Sequence, residues 1–176
     1  MFYLKTYFFN RNYLVDEKDR TYFSTGSNDN IGCDDIDLKI LNVLSTDARL
    51  SKREIAEKIN IPLRTVTYRI LNLEKNKIIV GYSINLNYEK VGIEYYKIGF
   101  VLTNNVKFND LISFAANLDN TIFVDYSFSR FYFELNVEVK NYQELENIVN
   151  SVKDRFGGLA DLFIFRTKQY YKFKFF

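Results

Sequence analysis

The chain has 176 residues, 47% of them hydrophobic and 18% aromatic, and a formal net charge of +2. This length fits one domain or two small ones, with enough apolar residues for a core. The chain has no histidine and one cysteine, Cys33. An intrachain disulfide and a cysteine-built metal site are therefore excluded, and the commonest general acid–base residue is absent. We expect no cofactor and no metal.

The N-terminus has no basic leader and no small-residue cleavage site, and no apolar run approaches about 18 residues. We therefore expect a cytoplasmic protein without a membrane partner. Residues 1–33 are predicted to be a strand and linker segment. Phe2–Val15 fits one strand or a hairpin broken near Asn10, and Thr21–Phe23 fits a second short strand. Ser24–Gly32 is polar and turn-forming, as linkers are. The aromatic residues here are expected to pack on a neighbouring part of the chain or on a second subunit.

A first helix is predicted over Asp34–Ser45, with Asp34 as its cap and further carboxylates near its positive N-terminal end. Its apolar stripe comprises Ile36, Ile40, Val43 and Leu44.

A second helix begins at Ser51, where Glu54 three residues later completes the pattern of a capping box. Asn60 fits the end of this helix because asparagine tolerates a left-handed conformation. Pro62, the only proline of the chain, fits the start of a third helix.

The third helix has two unlike faces. Leu63, Val66, Ile70 and Leu73 recur at helical spacing and predict a buried face. The opposite face carries Arg64, Thr65, Tyr68, Asn72 and Lys75, with Arg69 at its flank. A helix of this kind, following a tight turn, fits the major groove of DNA. An ordinary amphipathic helix with a solvated face would give the same pattern.

The charge distribution favours a nucleic-acid partner. Residues 49–77 hold eight Lys and Arg against three Glu, a local net charge of +5, so the rest of the chain carries −3. A basic patch on a slightly acidic protein is typical of a DNA-binding module. Chance clustering is the alternative.

Two short strands are predicted after Lys77. Ile78–Val80 and Tyr82–Leu86 flank Gly81 and fit the hairpin of a winged helix, with Tyr82, Ile84 and Leu86 pointing inward.

Residues 34–87 resemble the DNA-binding half of the Lrp/AsnC (feast/famine) family of transcription regulators, in its archaeal type. Four motifs carry the resemblance: D-x-x-D-x-x-I-L from Asp34, D-A-R-x-S from Asp47, R-I-x-x-L-E from Arg69, and I-x-G-Y from Ile79. The resemblance implies a second half with the order βαββαβ that binds ligands and forms oligomers.

Periodicity in the second half predicts the same order independently. Strands are expected over Tyr95–Leu102, Thr121–Phe128, Phe131–Val139 and Asp161–Thr167, and helices over Asn109–Leu118 and Tyr142–Phe156. In the third of these strands, Glu134, Asn136 and Glu138 form the face opposite the apolar one. This order is that of a split βαβ or ferredoxin-like sandwich.

The predicted fold class is therefore α+β. A winged helix-turn-helix over residues 34–88 is followed by a ferredoxin-like βαββαβ sandwich over residues 92–176. The aromatic tail, Tyr170–Phe176, is too apolar to hang free, so we expect it to add a strand or to pack on the first residues or a second subunit.

One turn departs from the resemblance. Family members commonly have Gly, and Asp three residues later, between the second and third strands of the ligand-binding domain, where this chain has Ser129 and Tyr132. These changes argue against the usual amino-acid response. The positions predicted for an effector are Ser127, Ser129, Arg130 and Tyr132, and a plain β-turn is the alternative.

The main hypothesis is a sequence-specific regulator that binds double-stranded DNA as a homodimer or higher oligomer. Base contacts are predicted for Arg64, Thr65 and Tyr68, and backbone contacts for Lys52, Arg53, Arg69, Asn72, Lys75 and Lys77. The resemblance leaves a small-molecule effector open. Two alternatives are a siroheme-decarboxylase-like enzyme, which the absence of histidine disfavours, and a protein-interaction module that does not bind DNA.

Overall fold

The architecture comes from a computed structural model that describes residues 3–9, 22–25, 32–102, 107–127, 133–157 and 159–167. The helices are α1 (Asp35–Thr46), α2 (Lys52–Ile59), α3 (Leu63–Lys75), α4 (Tyr88–Val91), α5 (Phe108–Ala116) and α6 (Tyr142–Phe156). The strands are β1 (Tyr3–Phe9), β2 (Tyr22–Thr25), β3 (Glu94–Leu102), β4 (Thr121–Ser127), β5 (Phe133–Val139) and β6 (Leu159–Thr167). The described residues form two units. A helical unit lies within residues 32–84, and a sheet unit contains β1, β2 and residues 85–167.

The helical unit is built around apolar side chains from α1, α2 and α3. Ile40 and Val66 are fully buried, and Ile55 is nearly so. The predicted cap is confirmed: the Asp34 side chain accepts from the backbone of Ile36 and Asp37, and Asp37 completes a capping box. The three predicted helices are thus confirmed in order and within one or two residues of their ends.

The predicted wing strands are wrong. The structure describes all of residues 77–87 and assigns no strand to them. The backbone N–H groups of Ile78 and Ile79 both donate to the carbonyl of Leu73, at 2.9 and 3.1 Å, so they complete the end of α3. Tyr82 and Ile84 are 52% and 61% exposed and do not point into a core. Alternating apolar residues form a strand only where a partner strand and a surface to bury against are available.

The sheet unit contains one antiparallel sheet with the strand order β2-β1-β4-β5-β3-β6. Its elements β3, α5, β4, β5, α6 and β6 follow the predicted βαββαβ order. Apolar residues of α5 and α6 share a core with one face of the sheet, which includes Ile98, Val124 and Leu135. The α+β class is therefore confirmed.

The N-terminal strands extend this sheet. Strand β1 pairs with β4 on one side and with β2 on the other. Phe9 is 7% exposed and belongs to the core shared with the helices. The ring of Phe8 lies 5.8 Å from that of Phe123 on β4. The predicted aromatic tail at Tyr170–Phe176 lies outside the described residues.

The sheet face away from α5 and α6 carries buried polar groups. Every residue of β5 is buried, including the three polar residues predicted on its second face. Lys97 Nζ lies 3.0 Å from Glu134 Oε2, and the hydroxyl of Tyr95 donates to Asn136 Oδ1. The hydroxyl of Tyr88, on α4, donates to Glu138 at 2.8 Å. These polar residues are thus hydrogen-bonded, as buried polar groups must be.

The place of Phe9 in the core gives a test of the N-terminal strands. Phe9→Ala should lower the free energy of unfolding by about 3–5 kcal/mol because it removes a buried ring. Phe165→Ala is the matched control, since Phe165 is 55% exposed, and it should change stability by about 0.5 kcal/mol or less. Urea unfolding followed by circular dichroism measures both, and equal effects would show that β1 adds little to the core.

Candidate nucleic-acid interface

The turn between α2 and α3 is fixed at both ends. Ser51 Oγ accepts from Glu54 N at 3.2 Å, and Ser51 N donates to Glu54 Oε2 at 2.7 Å, so the predicted capping box is present. Asn60 has φ 54° and ψ 49°, the predicted left-handed conformation. The Ile61 N–H reaches back to the Ala56 carbonyl at 3.1 Å, as in a Schellman motif. Pro62 then precedes α3 directly.

The end of α3 is a second Schellman motif. Lys77 N donates to the Glu74 carbonyl at 3.0 Å, and Ile78 N donates to the Leu73 carbonyl at 2.9 Å. Lys77 occupies the left-handed position with φ 55°, where glycine is usual. An exposed cationic side chain therefore stands at the exit of α3.

The predicted core face of α3 is largely confirmed. Val66, Ile70 and Leu73 are between 0% and 3% exposed. Leu63 is 47% exposed, so its place in the core was wrongly predicted. Helical periodicity predicts the direction in which a residue points, but not how far the neighbouring helices extend along α3.

The opposite face of α3 is open to solvent. Arg64, Tyr68, Asn72 and Lys75 are exposed, and Tyr68 is 66% exposed. Thr65 is half-buried. Four of the five predicted side chains therefore share an accessible polar surface, which we call the α3 outer face and define as Arg64, Tyr68, Asn72 and Lys75.

Two cations on α2 are also exposed. Lys52 and Arg53 lie in its first turn. Arg53 Nε forms an ion pair with Glu57 Oε1 at 3.0 Å, and both side chains are mostly exposed. Exposed ion pairs of this kind contribute little free energy, so Arg53 can leave Glu57 for another anion with little loss of stability.

Arg69 differs from the other cations of this surface. Its Nη1 lies 2.7 Å from Asp34 Oδ2 and 3.3 Å from Asp37 Oδ2. Its side chain is 28% exposed, and that of Asp37 is 10% exposed. The Arg69 guanidinium therefore pairs with two carboxylates inside the helical unit, whereas the sequence predicted that it contacts a DNA phosphate.

Hydrogen bonds, ion pairs and burial shift the pKa values of five groups in this unit, namely Asp34, Asp47, Arg49, Glu54 and Tyr82. The pKa of the Asp34 carboxyl lies below its ordinary value, first because Asp37 N donates to it and also because Arg69 is close. The Ser51 hydroxyl and then the Ser51 N–H lower the pKa of Glu54. Partial burial, followed by the hydrogen bond to Glu74, raises the pKa of Tyr82 to about 12.

The predicted effector turn is not described. Ser129, Arg130 and Tyr132 lie outside the described residues, and only the backbone of Ser127 is described, at the end of β4. A cavity of about 480 Å³ lies in the sheet unit beside Lys140 and an ion pair between Glu94 and Arg166, and no sequence pattern predicted it.

Within the described ranges, no three His, Cys, Asp or Glu side chains are placed to hold a metal ion. No helix of the part described has the length and apolar character to cross a membrane.

Comparison with known proteins agrees with this geometry. A family model described as winged helix-turn-helix DNA-binding matches residues 34–80. An uncharacterized HTH-type transcriptional regulator of Pyrococcus furiosus is 51% identical over 61 residues, 35% of this chain and 41% of that protein. Another, from Pyrococcus abyssi, is 29% identical over 120 residues, 68% of this chain and 81% of its own length. LrpB of Bacillus subtilis is 37% identical over 83 residues, 47% of this chain and 56% of LrpB.

Solved structures share the fold. LrpC of Bacillus subtilis has a TM-score of 0.68 at 23% identity, covering 82% of this chain and 100% of that structure. AsnC of E. coli has a TM-score of 0.66 at 17% identity, covering 83% and 99%. A regulator of Neisseria meningitidis solved as a complex with L-Met has a TM-score of 0.69 at 18% identity, covering 82% and 95%.

The three-helix unit with its exposed basic helix corresponds to the stretch matched as winged helix-turn-helix DNA-binding, and a βαββαβ unit follows it in the chain. The motifs that start at Asp34, Asp47 and Arg69 lie within the matched stretch. The chain is similar to LrpB in sequence and shares its fold with LrpC and AsnC, in agreement with the resemblance to the Lrp/AsnC family. None of the relatives named above is described as an enzyme, so the siroheme-decarboxylase alternative gains no support.

The lowered pKa of Asp34 predicts an acid-sensitive contribution to stability. A carboxyl whose folded-state pKa is depressed stabilises the fold above its ordinary pKa and loses that contribution as pH falls through the folded-state pKa. Asp34→Asn keeps a capping side chain but removes the charge. This variant should therefore lose less stability than the wild type when pH is lowered from about 5 to about 2. Urea unfolding at a series of pH values measures this.

Asp35→Asn is the control, because Asp35 is an exposed carboxylate in the same first turn. Its acid unfolding should follow the wild-type curve more closely. Overlapping curves for Asp34→Asn and the wild type would show that the Asp34 charge is unimportant.

The left-handed conformation of Lys77 gives a second test. Lys77→Gly should raise the free energy of unfolding by roughly 0.5–1 kcal/mol, because glycine adopts positive φ without strain. Lys75→Gly, within the last turn of α3, should instead lower it by roughly 0.5–1 kcal/mol. Thermal unfolding compares the two variants, and a destabilised Lys77→Gly would rule out strain at this position.

Proposed function

We propose that the chain is a sequence-specific transcription regulator that binds double-stranded DNA through α3. The observation that carries the proposal is the α3 outer face, which lies opposite the buried Val66, Ile70 and Leu73. This face lies in the stretch with a local charge of +5. The descriptions of the family model and of the relatives support the same function.

Base contacts are assigned to Arg64, Thr65 and Tyr68, which lie in the first half of α3. The N-terminal residues of a recognition helix reach base edges in known helix-turn-helix complexes. The fork of Arg64 suits the two acceptors of guanine. The hydroxyls of Thr65 and Tyr68 can donate to or accept from base edges.

Phosphate contacts are assigned to Lys52, Arg53, Asn72, Lys75 and Lys77. All five are exposed. They extend from the first turn of α2 to the residue after the cap of α3. Contacts of this kind give affinity and salt dependence but little sequence information.

We further propose a homodimer or higher oligomer that acts in the cytoplasm of an archaeal cell. Two recognition helices reach two major grooves one turn apart only when two copies of the unit are held together. The Pyrococcus relatives support an archaeal source.

A small-molecule effector bound at Ser127, Ser129, Arg130 and Tyr132 is a secondary proposal. It is supported by the similarly folded regulator of Neisseria meningitidis, which was solved as a complex with L-Met. Titration of amino acids, L-Met first, into the protein–operator complex tests it through the change in operator affinity.

The test is fluorescence anisotropy on genomic DNA fragments, the upstream region of the gene included, at several salt concentrations. About six or more neutralised phosphates per dimer should give a slope of log K against log salt near −5 or steeper. Tight binding to one fragment supports a regulator. Weak binding to every fragment at low salt would instead favour an interaction module that does not use DNA.

Two variants separate base contacts from phosphate contacts. Arg64→Ala should reduce the preference for operator over random DNA by roughly 5- to 150-fold, because it removes a base contact. Lys75→Ala should weaken both DNAs alike and reduce the salt slope by about 0.9 per protomer. Anisotropy titrations on operator and random duplexes provide both values. The same loss of preference in both variants would contradict this division of roles.

A further inference from the structure

Charge-assisted contacts join α3 to the N-cap and the first turn of α1. Arg69 Nη1 contacts Asp34 Oδ2 at 2.7 Å and both carboxylate oxygens of Asp37 at 3.3 and 3.4 Å. The two carboxylates are also linked to each other's backbone, since Asp34 N donates to Asp37 Oδ2 at 3.2 Å and Asp37 N donates to Asp34 Oδ1 at 3.0 Å. We call Arg69, Asp34 and Asp37 the α1–α3 tie.

The α1–α3 tie argues against a phosphate contact for Arg69. Asp37 is buried, and two carboxylates lie side by side with one guanidinium between them. A DNA phosphate that captured Arg69 would leave those two carboxylates facing each other without their cation. Separating a partly buried pair costs far more than separating an exposed one. The exposed Lys52 and Lys75 carry no such cost.

The tie can fix the orientation of α3. The helix packs through three buried residues, Val66, Ile70 and Leu73. Apolar packing alone tolerates small rotations and shifts, whereas the planar guanidinium imposes a definite geometry on its carboxylate partners. In the sequence, Arg69 lies between two residues of the α3 outer face, one position after Tyr68 and three positions before Asn72. A rotation about this point would move base-reading side chains.

We propose that Arg69 is a positioning residue, held by Asp34 and Asp37, which sets the orientation of α3 and thereby the choice of DNA sequence. This inference rests on the proposed function, and it changes the predicted role of Arg69 from phosphate contact to specificity. Arg69 itself then contributes no released counterion.

The test compares the wild type with Arg69→Gln, Asp37→Asn and the double variant carrying both changes. Each protein is titrated on operator and random duplexes at several salt concentrations. Two quantities are taken: the ratio of operator to random affinity and the slope of log K against log salt. A fraction of unfolded protein scales both affinities equally, so neither quantity responds to a loss of stability alone.

If Arg69 positions α3, all three variants lose about fivefold or more of the affinity ratio, because at least one base contact is misplaced. The salt slope of Arg69→Gln stays at the wild-type value, without the fall of about 0.9 per protomer that the loss of one phosphate contact would give. The double variant should lose no more than the larger single loss, because residues that act as one unit are not additive. Lys75→Gln is the control, and it should lower the salt slope while keeping the affinity ratio.

A fall of about 0.9 per protomer in the slope of Arg69→Gln at an unchanged ratio would assign it to phosphate and overturn the inference. A steeper slope for Asp37→Asn at an unchanged affinity ratio would also overturn it, because Arg69 would then have been released without any effect on the choice of sequence. Unchanged ratios in all variants would reduce the tie to a structural contact. A wild type without operator preference would overturn the proposed function itself.

Discussion

The short connection between α2 and α3 is the constraint on which the helical unit depends. The chain must leave one helix and enter the next within three residues, and the left-handed Asn60 makes this reversal. This reversal of the chain lets Ile61 N donate to the Ala56 carbonyl and places Pro62 at the start of α3. A β-branched residue at position 60 would be strained in this conformation. With the turn fixed, the buried stripe of α3 faces α1 and α2, and the polar side must face outward.

The α1–α3 tie adds a second, directional constraint. Hydrophobic contact determines that α3 is packed, while charge-assisted hydrogen bonds favour one arrangement over its neighbours. Asp34 serves both as the cap of α1 and as a partner of Arg69. The start of α1 and the middle of α3 are therefore stabilised by the same carboxylates, although about 35 residues separate them in the sequence.

The sheet unit is constrained by buried polar side chains that need hydrogen-bond partners. All of β5 is buried, as are Thr121 and Asp125 of β4, so the polar residues among them need partners inside the unit. Tyr88 and Tyr95 supply hydroxyls for this, and their stacked rings, 5.6 Å apart, cover part of the same face. Strand β1 completes the sheet beside β4, so the N-terminal residues are part of this unit's structure.

Local signals determined the helices, their caps and the βαββαβ order, because spacing of apolar residues and capping residues act within a few positions of the chain. The motif from Asp34 to Glu74 also indicated the family and the outward face of α3. Tertiary structure alone decided the partners of Arg69, the exposure of Leu63, the absence of strands at residues 78–86 and the place of β1 in the sheet. Each of these depends on which distant residue lies opposite, and periodicity carries no information about contacts between segments far apart in the sequence.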